Sequence, residues 1–272
     1  MSVTVFYFTG TGNSLVAAQT LANGLTDAQI VPIAGVVNSG IPYKVVSEKV
    51  VFVFPVYSAG IPAIVARALD LIKLNASQYV AAIANCASSA GAALDIFAAE
   101  LQRRCGQRLA AGWVICMPNN YTPLSGSERP ETIDRMLSEA DNRLLEIACA
   151  VSQDCTTDYS LPAPMAALTR LIWKVNVSFF PYMQKRFRVG HSCTGCGLCA
   201  RICPVNNIEM STADRPKWLK KCEQCMACLQ HCPVEAIQCF WWTKGRVRYR
   251  HPRIDVAQIV AQKTISPESL NH

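Results

Sequence analysis

The chain has 272 residues, 51% of them hydrophobic, with 26 Lys+Arg against 19 Asp+Glu and a formal net charge of +7. It is long enough for one large domain or two small ones with a sizeable core. No run of eighteen uncharged apolar residues occurs, because Arg170 and Lys174 interrupt the nearest one at residues 165–183, and this excludes a transmembrane helix. The first residues, MSVTVFYFTGTGNS, lack a basic n-region, and their apolar run is too short and β-branched for a signal peptide, so a cytoplasmic, reducing environment is expected.

Residues 3–8 (VTVFYF) suit a buried parallel strand. The strand ends in Thr9-Gly10-Thr11-Gly12-Asn13-Ser14, and a helical pattern follows to residue 22. Strand, Gly/Thr/Ser loop and helix together make a phosphate site, with backbone N–H groups and the helix N-terminus as the positive end. The loop has no lysine, so it is not a Walker loop, and Leu15 breaks G-x-G-x-x-G, so a Rossmann dinucleotide site is disfavoured. A strand is expected near residues 30–33. Another spans 50–54 and leads into Pro55-Val56-Tyr57-Ser58-Ala59-Gly60-Ile61-Pro62. Residues 79–84 open into Asn85-Cys86-Ala87-Ser88-Ser89-Ala90-Gly91, and residues 110–116 complete a five-strand set alternating with helices. Such alternation implies a parallel doubly wound sheet with its ligand at the carboxyl ends of the strands.

These loops resemble those of flavodoxins. The resemblance implies that Thr9, Gly10, Thr11, Gly12, Asn13 and Ser14 hold the FMN phosphate. Tyr57, between Pro55 and Ser58, stacks on the isoalloxazine, Gly60 lies near its N5, and Asn85, Ser88 and Gly91 mark the pyrimidine edge. Tyr57 is the one clear stacking aromatic, although Tyr121 could also reach the site, and Cys86 is not expected to act there.

Residues 132–151 read as the last helix of this part, and 152–164 (SQDCTTDYSLPAP) as a boundary. Leu168, Leu171, Ile172, Val175 and Phe179 then recur at helical spacing. The favoured reading is a helix packing one domain against the other, with a membrane-surface helix as the alternative.

Eight of the fourteen cysteines form two copies of C-x-x-C-x-x-C-x-x-x-C-P: Cys193, Cys196, Cys199 and Cys203, then Cys222, Cys225, Cys228 and Cys232. This is the bacterial-ferredoxin spacing for two 4Fe–4S clusters, in which the fourth cysteine of each run ligates the other cube. One cluster is therefore assigned to Cys193, Cys196, Cys199 and Cys232, the other to Cys222, Cys225, Cys228 and Cys203. CPVNNI and CPVEAI mark an internal repeat. Zinc would leave the third and fourth cysteine of each run unused, and disulfides need an oxidising compartment. His191 and His231 flank these cysteines and read as packing or surface residues, although a hydrogen bond to a cluster sulfur could tune potential.

Residues 181–272 hold 14 Lys+Arg against 6 Asp+Glu, while residues 1–180 hold 12 against 13. Each oxidised cluster with four thiolates carries roughly −2, which offsets much of that excess, and no nucleic-acid motif is present. The run Lys244, Arg246, Arg248, Arg250 and Arg253 reads as a strand edge with a solvated basic face, able to dock an acidic redox partner.

The whole chain resembles fusions of a flavodoxin-like domain with a two-cluster ferredoxin domain. The expected fold is α/β: a flavodoxin-like doubly wound parallel sheet, then a small α+β bacterial ferredoxin domain. Residues 1–152 would bind FMN, 153–185 form a linker with an amphipathic helix, and 186–272 bind two 4Fe–4S clusters. The function implied is intracellular electron transfer between the clusters and FMN for a partner oxidoreductase, with no catalytic residue of its own. The alternative is an FMN-dependent reductase of a quinone, nitro compound or activated alkene. A redox sensor ranks last.

Overall fold

The computed structural model describes residues 1–265. Five strands form one parallel sheet: β1 (Val3–Tyr7), β2 (Ala28–Pro32), β3 (Lys49–Pro55), β4 (Tyr79–Cys86) and β5 (Ala111–Cys116). Their order is β2-β1-β3-β4-β5, the flavodoxin-like order, whose switch point lies between β1 and β3. All five expected strands are present.

Side-chain alternation divides the sheet between two cores. Phe6, Phe8, Phe52 and Phe54 point to one face, where α2 (Ile33–Ser39), α3 (Ala63–Leu71) and α4 (Ala93–Cys105) cover them. Phe97 of α4 closes on Phe54 with ring centroids 5.1 Å apart. Val5, Tyr7, Val51, Val53 and Ile83 point to the other face, under α1 (Asn13–Asn23) and α5 (Pro130–Ser152). Burial on both faces is why β1 and β3 read as continuous apolar runs. Lys49, at the start of β3, is buried. Its Nζ donates to the carbonyls of Val151 and Ser152 at 2.9 and 2.8 Å and pairs with Asp154 at 2.8 Å, a cation on the negative end of α5.

Helix α6 (Ala163–Met183) corrects the expected packing. Trp173 and Phe180 face the body of the protein, and the Trp173 Nε1–H donates to the Ile61 carbonyl at 2.7 Å. Leu168, Leu171, Ile172, Val175 and Phe179, expected to pack between domains, are exposed. The apolar spacing defined a stripe, but the single large indole anchored the opposite side.

After α6 come two short hairpin-like pairs. β6 (Phe187–Val189) pairs antiparallel with β9 (Ile237–Cys239), and β7 (Ile208–Met210) with β8 (Pro216–Trp218). Helices α7 (Leu198–Ile202) and α8 (Ala227–Gln230) lie within the two cysteine runs. Ile208 and Ile237 end the repeated CPVxxI segments. They begin β7 and β9, and both are buried.

The basic segment that follows is not a strand edge. Residues 244–250 form no strand, and the expected alternation is broken, with Val247 exposed although Tyr249 two residues on is buried. Arg248 turns inward to the Ile237 carbonyl at 3.2 Å, Arg246 donates to the Thr122 carbonyl, and the Tyr249 hydroxyl donates to Asn13 Oδ1 at 2.8 Å. Lys244 and Arg250 remain exposed.

The chain then returns over the first sheet as a strap. His251 N–H donates to the Thr11 carbonyl at 2.9 Å. Asp255 caps α9 (Val256–Ala261) through a capping box with Gln258. Ile259 is fully buried, and Asn38 donates to the Lys263 carbonyl at 3.1 Å.

The strap carries a pH dependence. His251 Nδ1 accepts from Arg253 N–H at 3.2 Å, and burial, then the Arg253 charge, pull its pKa down from 6.5 to about 4. Asp141 opposes this weakly. The unfolded chain therefore binds the proton more readily. The contribution is complete above about pH 6.5 and lost as pH falls toward about 4. Thermal melts across this range should show a shallower acid-side decline for His251→Leu than for the unaltered chain; parallel curves would contradict the assignment.

Candidate functional site

A cavity of about 220 Å³ lies at the carboxyl ends of β1, β3, β4 and β5. Thr9, Gly10, Asn13 and Ser14 form one wall, Pro55, Val56, Tyr57 and Ser58 a second, and Asn85, Cys86 and Ala87 a third. Residues 117–121, Leu124, Phe180 and Gln224 complete it. Of the expected flavin residues, Thr9, Gly10, Asn13, Ser14, Pro55, Tyr57, Ser58 and Asn85 line the cavity, while Thr11, Gly12, Gly60, Ser88 and Gly91 do not.

The phosphate loop is deeply placed. Thr9, Thr11, Asn13 and Ser14 are each at most 5% exposed. The Gly12 N–H donates to Thr9 Oγ1 at 3.0 Å. Among the described residues, the N–H groups of Gly10, Thr11, Asn13 and Ser14 find no acceptor. Buried donors converging at a helix N-terminus fit an anionic group. Thr11 faces the other way, its hydroxyl accepting from Asn120 Nδ2 at 2.7 Å.

The second loop is a tight turn. Tyr57 and Gly60 exchange both backbone hydrogen bonds, at 2.9 and 3.0 Å, with Ser58 at φ 50° and Ala59 at φ 60°. Two non-glycine residues in the left-handed region store strain in the segment that faces the cavity. Gly60 itself lies under the Trp173 ring, where a methyl group would overlap the indole. Gly91 packs against Ala59, and Ser88 is exposed. Tyr57 is set edge-on to Phe8, with ring centroids 6.4 Å apart.

Sequence reading missed Gln224, which is 2% exposed. Its backbone N–H and Nε2 both approach Cys222 Sγ, at 3.4 and 3.3 Å, and its Oε1 is buried without a partner. A thiolate only accepts, so the amide NH₂ must face sulfur and the oxygen must face the cavity. An unpaired acceptor on this wall fits a ligand that donates a hydrogen bond. A glutamine between two cysteines has no spacing signal that could have revealed it.

The eight cysteines line two further, small cavities in the crossed pattern. Cys193, Cys196, Cys199 and Cys232 border one; Cys203, Cys222, Cys225 and Cys228 border the other. Among the described residues no three His, Cys, Asp or Glu side chains converge on one metal ion. A lone zinc sits only about 2.3 Å from each sulfur, whereas a four-iron cube stands between its ligands and spaces them apart. The repeat persists in the hydrogen bonds. Asn207 N–H meets Cys203 Sγ at 3.2 Å, and Ala236 N–H meets Cys232 Sγ at 3.3 Å. Burial pushes Cys222 up to about 12 and Cys199 up to about 11, so iron must displace the thiol protons. His231 does not reach a cluster sulfur through Nδ1, which meets the Ala227 carbonyl at 3.0 Å.

The second cysteine cavity abuts the first sheet. Gly10 packs on the Cys225 carbonyl, and any β-carbon there would overlap it. The buried Glu223 carboxylate accepts from Ile64 N–H at 3.1 Å and pairs with Arg67 at 2.9 Å, capping α3 from outside its own segment. Gln230 Nε2 donates to Thr122 Oγ1 and to the Asn120 carbonyl at 2.7 and 2.6 Å.

A family model described as a 4Fe-4S dicluster domain matches residues 192–236. No curated protein matches the chain in sequence. Solved structures with some likeness include a short-chain flavodoxin associated with a bacterial microcompartment, at 16% identity over 57% of this chain and 100% of that one, TM-score 0.39. A flavodoxin from Streptococcus pneumonia TIGR4 shares 14% over 55% and 99%, TM-score 0.36. A flavodiiron protein from Giardia intestinalis shares 18% over 57% and 37%, TM-score 0.39. The fold assignment rests on the strand order rather than on these likenesses.

A 4Fe–4S dicluster segment joined to a flavodoxin-like sheet defines an electron-transfer protein. The dicluster match is confined to residues 192–236, and the flavodoxin-like strand order belongs to the sheet that precedes them.

Gly10→Ala tests the junction. Forcing a methyl group against the Cys225 carbonyl should destabilise the chain by about 1–3 kcal/mol and lower iron content relative to protein. Unchanged iron content and melting would show that the two segments do not bear on each other here.

Proposed function

We propose that the chain relays electrons between two 4Fe–4S clusters and an FMN in the 220 Å³ cavity, on behalf of a partner oxidoreductase. One observation carries this reading: the segment Cys222–Gln224–Cys225 is at once a wall of one cysteine cavity and a wall of the flavin cavity. When bound, FMN exchanges electrons singly or in pairs and each cluster one at a time, so the chain would couple single transfers to paired ones. The phosphate would rest on the loop 9–14, the ring beside Tyr57, and the clusters on the eight cysteines in the crossed assignment. The boundaries 1–152, 153–185 and 186–272 remain the working division.

The cavity wall supports transfer over substrate chemistry. Its ionisable side chains are Tyr57, Cys86 and Tyr121. Burial raises all three, Cys86 to about 12 with Cys116 beside it and Tyr121 to about 12, so each is neutral and none is a ready base. Exposed Lys244 and Arg250 would steer an acidic partner, a role for which inward-turned Arg246 and Arg248 are poorly placed. A reducing, cytoplasmic setting suits eight cysteine thiolates.

Anaerobic titration of the reconstituted chain should bleach flavin and iron–sulfur absorbance together, taking up about four electrons per chain. Iron–sulfur absorbance alone would remove FMN from the reading. Gln224→Leu should retain both chromophores while shifting the reduction potentials of the flavin and of the adjacent cluster, because it removes the side-chain N–H···S bond and the cavity acceptor together. Unmoved potentials would assign Gln224 a packing role only.

A further inference from the structure

Helix α6 leaves a large apolar face uncovered. Leu168, Leu171, Ile172, Val175 and Phe179 are 47% to 60% exposed, and Met165 and Tyr182 extend the row at either end. At 3.6 residues per turn these positions fall within an arc of about 120°, opposite buried Trp173 and Phe180. A contiguous apolar stripe on the surface marks a contact with something apolar.

Charge indicates what that is. Between Asp158 and Glu209 the chain carries six cations, Arg170, Lys174, Lys185, Arg186, Arg188 and Arg201, and no acidic residue. Lys174, Lys185, Arg186 and Arg188 are exposed beside or just beyond the stripe. An apolar helix face whose own segment carries cations and no acidic residue is the composition of a helix that lies in the headgroup layer of an anionic bilayer. A two-fold dimer across this face would set like charges against one another. No helix among the described residues is long and apolar enough to cross a membrane, so the contact is with the surface.

The same helix reaches the cavity from its buried side, and an exposed apolar residue stands at the cavity as well. Phe180 of α6 is on the cavity wall, and so is Leu124, which is 80% exposed. The neighbouring Pro123 carbonyl accepts from Trp242 Nε1 at 2.9 Å, and Trp241 beside it is 83% exposed. We propose that α6, with the Leu124 loop and the Trp241–Trp242 pair, seats the protein on an anionic lipid surface with the cavity mouth turned toward it. This inference goes beyond the relay reading and does not depend on which cofactors are bound.

Flotation of the full-length reconstituted protein tests it, using vesicles of phosphatidylcholine alone or mixed with phosphatidylglycerol. Binding to the mixed vesicles should exceed binding to phosphatidylcholine by about tenfold or more and fall in high salt. Leu171→Glu with Val175→Glu should abolish binding while leaving the visible spectrum and melting curve unchanged, because both side chains are exposed. Leu145→Glu, on exposed α5 surface, should bind as the unaltered chain does. Three outcomes would overturn the proposal: no flotation with either vesicle, equal binding to both compositions, or a sedimenting dimer that Leu171→Glu with Val175→Glu splits.

Discussion

The contact of Gly10 with the Cys225 carbonyl is the constraint on which the arrangement depends. A phosphate loop must be glycine-rich so that backbone can approach an anion, and here the same absence of a β-carbon admits a second backbone from the other side. Glu223 locks that approach by capping α3, and it lies between Cys222 and Gln224. One tripeptide thus supplies a cluster-side thiol, a helix cap and a cavity wall. The two halves are therefore joined at the place where their chemistry would meet, and the join is made of backbone and buried charge rather than of an apolar patch alone.

Much of this was legible in the residues. The β1 and β3 runs are apolar because both faces of a parallel sheet are buried, and the TGTGNS loop sits where a strand must hand over to a helix. The cysteine spacing alone implies the crossed grouping, and two small cavities divide the eight cysteines along the same lines. What was not legible depended on which side of an element meets its neighbour. Periodicity located the α6 stripe but could not say that Trp173 would be its anchor. Alternation in GRVRYRHPR resembled a strand, yet Arg248 found the Ile237 carbonyl and Tyr249 found Asn13, contacts made possible only by residues far away in sequence. Gly60 was read for a place beside the flavin N5, and nothing in its own loop announces the indole that lies on it.

The cavity is chemically quiet. Its hydrogen-bonding groups are amides, hydroxyls and backbone donors, and its phenols and thiol are held neutral by burial. Such a wall can hold and orient a ring and exclude water without competing for its protons. At Ser58 and Ala59 two successive non-glycine residues are held in the left-handed region, and Gly91, Ala92 and Trp173 pack against that turn.

The returning strap has a consequence for assembly. His251 lies across Thr11 and Gly12, with its Cβ 2.8 Å from where a Gly12 β-carbon would stand, and Gln262 reaches Thr9 N–H at 3.4 Å. The anion end of the cavity is therefore roofed by residues 251–262, which lie far from the loop in sequence. A nucleotide cofactor would have to arrive before that roof is laid or wait for it to lift. Cofactor loading then becomes a matter of order during biogenesis, and cofactor loss a matter of how often residues 251–262 peel away.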